Sequence, residues 1–289
     1  MEQVPNHPKF AVIGDPLPQD LTAKVHLAVL RHYIPEATCE PILVRTEELP
    51  QWLDRVRAEG YSGFSVNTPH KLEISQHLDE LVMEADITGS VSAVQNHRGK
   101  LRGHSTDALG FFAALRRNNI TFADKRVLIF GAGGTAAALA HRAILNTAER
   151  VVILAPQPDQ AHKLILAIRS QNRGAALSWG DLRPDTLRER AARADIVINA
   201  TPQGMAGFNA PWPDLSFLTA LPKDAVVCDT VSCPPKTPLL EEAERLGFVT
   251  QSGVDMLLHQ ALLTCRLYLD RPIDYKLMEK VVQEAVCYP

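Results

Sequence analysis

Arg126-Val-Leu-Ile-Phe-Gly-Ala-Gly-Gly-Thr-Ala-Ala-Ala-Leu-Ala140 decides how this chain is read. Arg126 to Phe130 is a short apolar run of the kind that fills a buried strand. Glycines then break it, and an alanine-rich stretch of high helix propensity follows. Strand, glycine turn and helix together make the pattern Gly131-x-Gly133-x-x-Ala136 informative, because it fits the dinucleotide-binding fingerprint. Gly131 makes the tight turn, and Gly133 lets backbone N–H groups approach a pyrophosphate. Ala136 lets helix and strand pack closely, while the helix N-terminus offers partial positive charge to the phosphates. Gly131, Ala132, Gly133, Gly134 and Thr135 are therefore the candidate cofactor loop.

Outward from this loop, strand-like and helix-like segments alternate along the whole chain, which predicts an α/β fold with parallel sheets. Val151-Val-Ile-Leu154, Asp195-Ile-Val-Ile-Asn199 and Ala225-Val-Val-Cys-Asp229 read as further strands. Thr237-Pro238 places an N-cap and a proline at the start of a helix that stops at Gly247. Two helices close the chain, at about 256–269 and 274–286. In the first half, Phe10-Ala-Val-Ile13 is a strand ending in the turn Gly14-Asp-Pro16, followed by a helix from Thr22 to Tyr33. Pro41 to Val44 and Phe64 to Thr68 read as strands, with a helix from Glu47 to Glu59 between them. Pro69 is expected to open another helix, and Ser92–Asn96 with Leu101–Ser105 to form a hairpin around Arg98-Gly99-Lys100.

Bulk properties exclude several classes. The chain has 289 residues, a two-domain length. Its 46% hydrophobic content is too high for a disordered chain. A formal net charge of −3 leaves no basic footprint for nucleic acid. No apolar stretch approaches a membrane span, and Met1-Glu-Gln-Val-Pro-Asn-His7 lacks a signal-peptide layout, so a cytoplasmic protein is expected. Five scattered cysteines and ten histidines without metal spacing point to no metal site.

Seven motifs, in order, resemble the shikimate dehydrogenase family across nearly the whole chain. They are Gly14-Asp-Pro16, Asn67-Thr-Pro-His-Lys71, Gly103-His-Ser-Thr-Asp107 and Phe130-Gly-Ala-Gly-Gly134. Asn199-Ala-Thr-Pro-Gln-Gly-Met205, Lys236-Thr-Pro238 and Gly253-Val-Asp-Met-Leu-Leu-His-Gln260 complete the set. The resemblance implies an N-terminal α/β substrate domain (1–106) completed by C-terminal helices (255–289), and a Rossmann NAD(P)-binding domain (107–254) facing it across a cleft. It implies hydride exchange between NAD or NADP and C3 of shikimate, quinate or a related cyclic hydroxy acid. That reaction belongs to aromatic amino acid biosynthesis through chorismate, and a monomer or homodimer carries it out. Lys71 would be the acid/base and Asp107 its orienting carboxylate, since such an oxidation needs one positioned proton acceptor. Gln260 would reach a substrate hydroxyl. Asn199, Ala200, Thr201, Met205 and Gly253 would line the nicotinamide side, and Ala155 and Pro156 the adenosine side.

Several positions depart from the family pattern. A serine pair that holds the substrate carboxylate is Asp20 and Thr22 here. Two like charges at ~4 Å repel by about 4 kcal/mol at an effective dielectric of about 20, so Asp20 suits a carboxylate poorly. Asp20 also reads as an N-cap of the following helix. Asn67 replaces a threonine, Ser92 an asparagine and Ser232 a tyrosine. At the adenosine end Ala155-Pro156-Gln157 replaces an arginine-bearing clamp, which leaves NAD and NADP both open. The pattern suggests retained redox chemistry on a modified substrate; the alternative is a non-catalytic, ligand-sensing paralogue on the same fold.

Overall fold

The computed structural model describes residues 8–17, 21–209 and 211–286. The chain divides into two compact units, Met1–Gly110 with Leu258–Pro289, and Phe111–Leu257. Asp107 thus falls in the first unit, whereas the boundaries read from sequence, 106/107 and 254/255, place it in the second.

Unit 1 is built on β1 (Lys9–Gly14), α1 (Leu21–Tyr33), β2 (Thr38–Leu43), α2 (Leu49–Ala58), β3 (Tyr61–Val66), β4 (Glu80–Leu81), α3 (Glu84–Thr88), β5 (Ala93–His97), β6 (Lys100–His104) and the start of α4 (Asp107–Arg117). Its sheet runs β2-β1-β3-β5-β6-β4, with β1 parallel to β2 and β3 and the β5–β6 hairpin antiparallel. The hairpin turns at Arg98 (φ 56°) and Gly99 (φ 83°), two left-handed residues that match the strand twist. β1 shows no polar alternation because both faces of the sheet are covered. Phe10 and Val12 pack with α1 and the C-terminal helices, while Ala11 and Ile13 pack with α2 residues such as Trp52 and Leu53.

Pro69 does not open a helix. Several backbone groups of the segment after β3 bond to neighbouring elements, with Asn67 N–H donating to Ile13 O (2.8 Å), Asp15 N–H to Thr68 O (3.1 Å) and Val91 N–H to Lys71 O (2.8 Å). With these groups engaged by neighbouring elements, a helical ladder cannot start, and only a short 3₁₀ turn at Ile74–His77 follows.

Unit 2 holds the rest of α4, then β7 (Arg126–Phe130), α5 (Gly134–Leu145), β8 (Arg150–Leu154), α6 (Pro158–Gln171), β9 (Leu177–Gly180), α7 (Pro184–Ala191), β10 (Ile196–Asn199), β11 (Val226–Asp229), α8 (Pro238–Arg245), β12 (Val249–Gln251) and the first turn of α9 (Gly253–Leu269). The rest of α9 and α10 (Tyr275–Val286) belong to unit 1. The six strands are all parallel, in the order β12-β11-β10-β7-β8-β9. This is the doubly wound order, whose switch point lies between β7 and β10, where such sheets bind ligands. α8 starts where Thr237 accepts from Leu240 N–H (3.4 Å), with Pro238 in its first turn. Among the described residues, no helix is long and apolar enough to cross a membrane.

Candidate active site

In unit 1, Lys71 Nζ donates to Asp107 Oδ2. The lysine side chain is 13% exposed and the aspartate 0%. The lysine therefore keeps some solvent exposure while its carboxylate partner is dry. Charge-assisted bonds in such surroundings are stronger than their surface equivalents. Both ends are held by backbone. Lys71 sits in the turn whose carbonyl binds Val91, and the buried His70 beside it bonds Val44 O through Nε2 (2.7 Å). Asp107 is the first residue of α4, where a negative charge is favoured by the helix dipole.

Asn67 is half-buried beside the first turn, its Cβ 3.1 Å from where a side chain on Gly14 would begin. Ser92 is fully buried, and its hydroxyl is engaged internally. It accepts from Thr106 N–H (2.7 Å) and bonds the Thr106 hydroxyl (2.8 Å), which in turn meets Thr264 Oγ1 at 3.1 Å. This hydroxyl chain fixes the residue next to Asp107. Gln260 is 8% exposed. It faces Gly110, where an added Cβ would lie 2.6 Å from Gln260 N, so α4 and α9 meet backbone to backbone. Gln260 and Thr264 are four residues apart and share one face of α9. Thr22 is half-buried in the first turn of α1, and Asp20 lies outside the described residues.

In unit 2, Gly131 follows β7 with φ 105°, a region closed to L side chains. A Cβ there would meet Ala200 O at 3.0 Å and Thr201 Cγ2 at 3.1 Å, so the loops after β7 and β10 touch at the switch point. Nothing lies within 4 Å of a Cβ on Gly133, and Gly134 and Thr135 open α5 beneath a buried Ala132. The open face above Gly133, against a helix N-terminus, fits a dinucleotide pyrophosphate. Ala155 is buried and Pro156 exposed at the end of β8. Gly253 tolerates no side chain, since a Cβ would stand 2.4 Å from Val231 O. Ser232 is half-buried after β11 in this unit.

Asn199 points inward. Its amide donates to Gln203 O (3.1 Å) and Asp229 Oδ1 (3.0 Å) and accepts from Thr201 N–H (3.0 Å), so it shapes the loop that carries Ala200, Thr201 and the half-buried Met205. Asp229, which the sequence reading passed over, anchors the arrangement. It accepts from Asn199, from Val231 N–H (2.9 Å), from Thr230 N–H and from the Thr237 hydroxyl (2.7 Å). A carboxylate directly at the end of an apolar parallel strand was the available signal. Ser92's partners Thr106 and Thr264 were passed over too, and the four-residue step from Gln260 to Thr264 was the clue.

Burial outweighs those donors and pushes the Asp229 carboxyl from its ordinary 3.8 up to about 6. The folded chain therefore holds this proton more tightly than the unfolded one, so stability falls as pH rises between these two values. Relative to Asp229→Asn, the native chain should lose roughly 2 kcal/mol of stability from pH ~4 to ~6. Urea melts of both proteins across that range check this; parallel stability curves would refute it.

Comparisons with known proteins give the following. A family model for the shikimate dehydrogenase substrate binding domain matches residues 12–94, and one for a putative NAD(P)-binding domain matches residues 119–206. A protein of Alkaliphilus oremlandii named shikimate dehydrogenase (NADP(+)) is 32% identical over 266 residues, covering 91% of this chain and 93% of its own. The structure of shikimate 5-dehydrogenase from Listeria monocytogenes, in complex with shikimate and NAD, superposes with TM-score 0.82 at 27% identity, covering 98% of both chains. The ligand-free 5-ketofructose reductase of a Gluconobacter species superposes with TM-score 0.78 at 28% identity, covering 96% of this chain and 98% of that one.

Proposed function

The chain belongs to the shikimate dehydrogenase family, and from that premise we propose that it interconverts shikimate and 3-dehydroshikimate, or a closely related cyclic hydroxy acid such as quinate, with NAD(P)(H). It is an oxidoreductase acting on a CH–OH group, working as a monomer or homodimer. The nicotinamide, when bound, supplies the hydride acceptor. The protein's part is to hold the ring, hold the dinucleotide and take one proton.

The observation that carries this reading is the hydrogen bond from the partly exposed Lys71 to the dry Asp107. In the oxidation Lys71 takes part as the neutral amine: as the ring carbon gives up hydride its hydroxyl proton passes to Nζ, and in the reverse direction the Lys71 ammonium returns that proton to the forming alkoxide. Asp107 orients the lysine. Asn67, Thr22 and Gln260 supply polar groups for ring hydroxyls and carboxylate, and Ser92 acts through Thr106 on the position of Asp107. Asp20 and Ser232 are proposed to tune which ring acid enters. Residues 131–135 hold the pyrophosphate, and the loop that Asn199 shapes holds the nicotinamide end.

The same pair argues against a non-catalytic paralogue, which would have no use for a partly exposed lysine held by a buried carboxylate. Turnover of shikimate, quinate and 5-ketofructose with each cofactor, followed at the nicotinamide absorbance band, tests the reading. The expected result is fastest turnover with a ring acid. Turnover of the ketose alone would move the substrate out of the ring acids, and turnover of none would favour the non-catalytic reading.

A further inference from the structure

In a doubly wound sheet the adenosine ribose is read at the end of the strand after the glycine loop, about 20 residues on. There a carboxylate accepts from the ribose 2′-hydroxyl, or an arginine meets a 2′-phosphate. In this chain that place is the end of β8, Leu154-Ala155-Pro156-Gln157. Ala155 is buried and both its backbone polar groups are engaged, the N–H with Gly180 O (3.2 Å) and the carbonyl with the Trp179 indole N–H (3.1 Å). Pro156 carries neither charge nor donor. The His162 ring packs edge-on against Trp179, with centroids 5.9 Å apart.

The arginine beside the adjacent strand end is held in an ion pair. Asp181 follows Gly180, which is in register with Leu154. Its carboxylate accepts from Arg183 Nε at 2.7 Å and from Arg183 N–H at 3.1 Å. The pair is neutral overall, and its anion stands on the strand end while the cation is drawn back onto it. A 2′-phosphate carries about −1.5 to −2 charge at neutral pH and needs cations around it.

We propose that the chain selects NAD over NADP, with the uncharged Ala155–Gln157 strand end and the Asp181 carboxylate that retains Arg183 as the determinants. This rests on the dinucleotide reading above, since it assigns the ribose through the glycine loop.

The test is a titration of the full chain with NADH and with NADPH, read by nicotinamide fluorescence and independent of turnover. NADH should bind about tenfold or more tightly than NADPH. Pro156→Arg should narrow that ratio by about tenfold or more, the worth of one charge-assisted hydrogen bond. Asp181→Asn, which releases Arg183, should narrow it in the same direction, and Arg183→Ala should leave it within about threefold. Equal or tighter NADPH binding by the native chain would overturn the proposal, and its loss in Arg183→Ala would name the cation responsible. Binding of neither nucleotide would overturn the dinucleotide reading itself, and the proposal with it.

Discussion

Lys71→Met should lower kcat/KM by about 10²–10⁴-fold, the usual cost of removing a positioned acid/base group, and leave dinucleotide affinity nearly unchanged. The two effects separate because Lys71 belongs to unit 1 and the glycine loop to unit 2. Methionine keeps most of the side-chain volume, so packing against the turn is preserved. It still strips a buried carboxylate of a charged partner, a loss that typically costs about 3–5 kcal/mol. A thermal melt of the same sample therefore has to accompany the kinetics. A folded Lys71→Met protein that keeps most of its kcat would remove Lys71 from the chemistry.

Gly131→Ala should weaken dinucleotide binding by about ten- to hundredfold. The added Cβ meets Ala200 O at 3.0 Å and Thr201 Cγ2 at 3.1 Å, and the backbone at φ 105° is closed to alanine. Such strain costs on the order of 1–3 kcal/mol. The free loop can relieve it by moving and must be forced back when the pyrophosphate binds, so the cost appears in affinity at about 1.4 kcal/mol per tenfold. Turnover at saturating dinucleotide should change far less than KM for the dinucleotide. A Kd within twofold of the native value would show that this turn does not hold the cofactor.

The sequence read best where one local rule determined the structure. β7, Gly131 and α5 emerge together because a parallel strand buried on both faces is a continuous apolar run and only glycine takes φ 105°. α8 emerges from Thr237 and Pro238 for the same kind of reason, and the β5–β6 hairpin from its turn. The unread elements lack such rules. β9 is a four-residue edge strand, and α7 buries only Ala191, so neither leaves a periodic apolar pattern. The stretch around Pro69 fails as a helix because backbone groups of Asn67, Thr68 and Lys71 are taken by Ile13, Asp15 and Val91, which no local pattern reveals.

The site divides along the same line. Lys71 and Asp107 were legible as motif residues, but the bond between them spans 36 positions and exists only in the fold. Ser92 shows the opposite difficulty. A pocket residue by its motif, it is buried, and it bonds to Thr106, 14 residues on, which reaches Thr264 across 158 more. Asn199 likewise shapes a loop through Asp229, 30 residues away. Polar networks closed by long-range contacts are invisible to periodicity, because each member taken alone looks like an ordinary serine, threonine or asparagine.

The most direct measurement follows the hydride itself. The ring acid turned over fastest, shikimate first, is prepared with deuterium at C3 and incubated with NAD(P)+ and the full chain, and the reduced nucleotide is examined by mass spectrometry. Deuterium should appear in the reduced nicotinamide, and Lys71→Met should suppress its appearance while still binding the dinucleotide. Reduced nucleotide formed without deuterium, or labelled at the native rate by Lys71→Met, would contradict hydride transfer from C3 assisted by the Lys71–Asp107 pair.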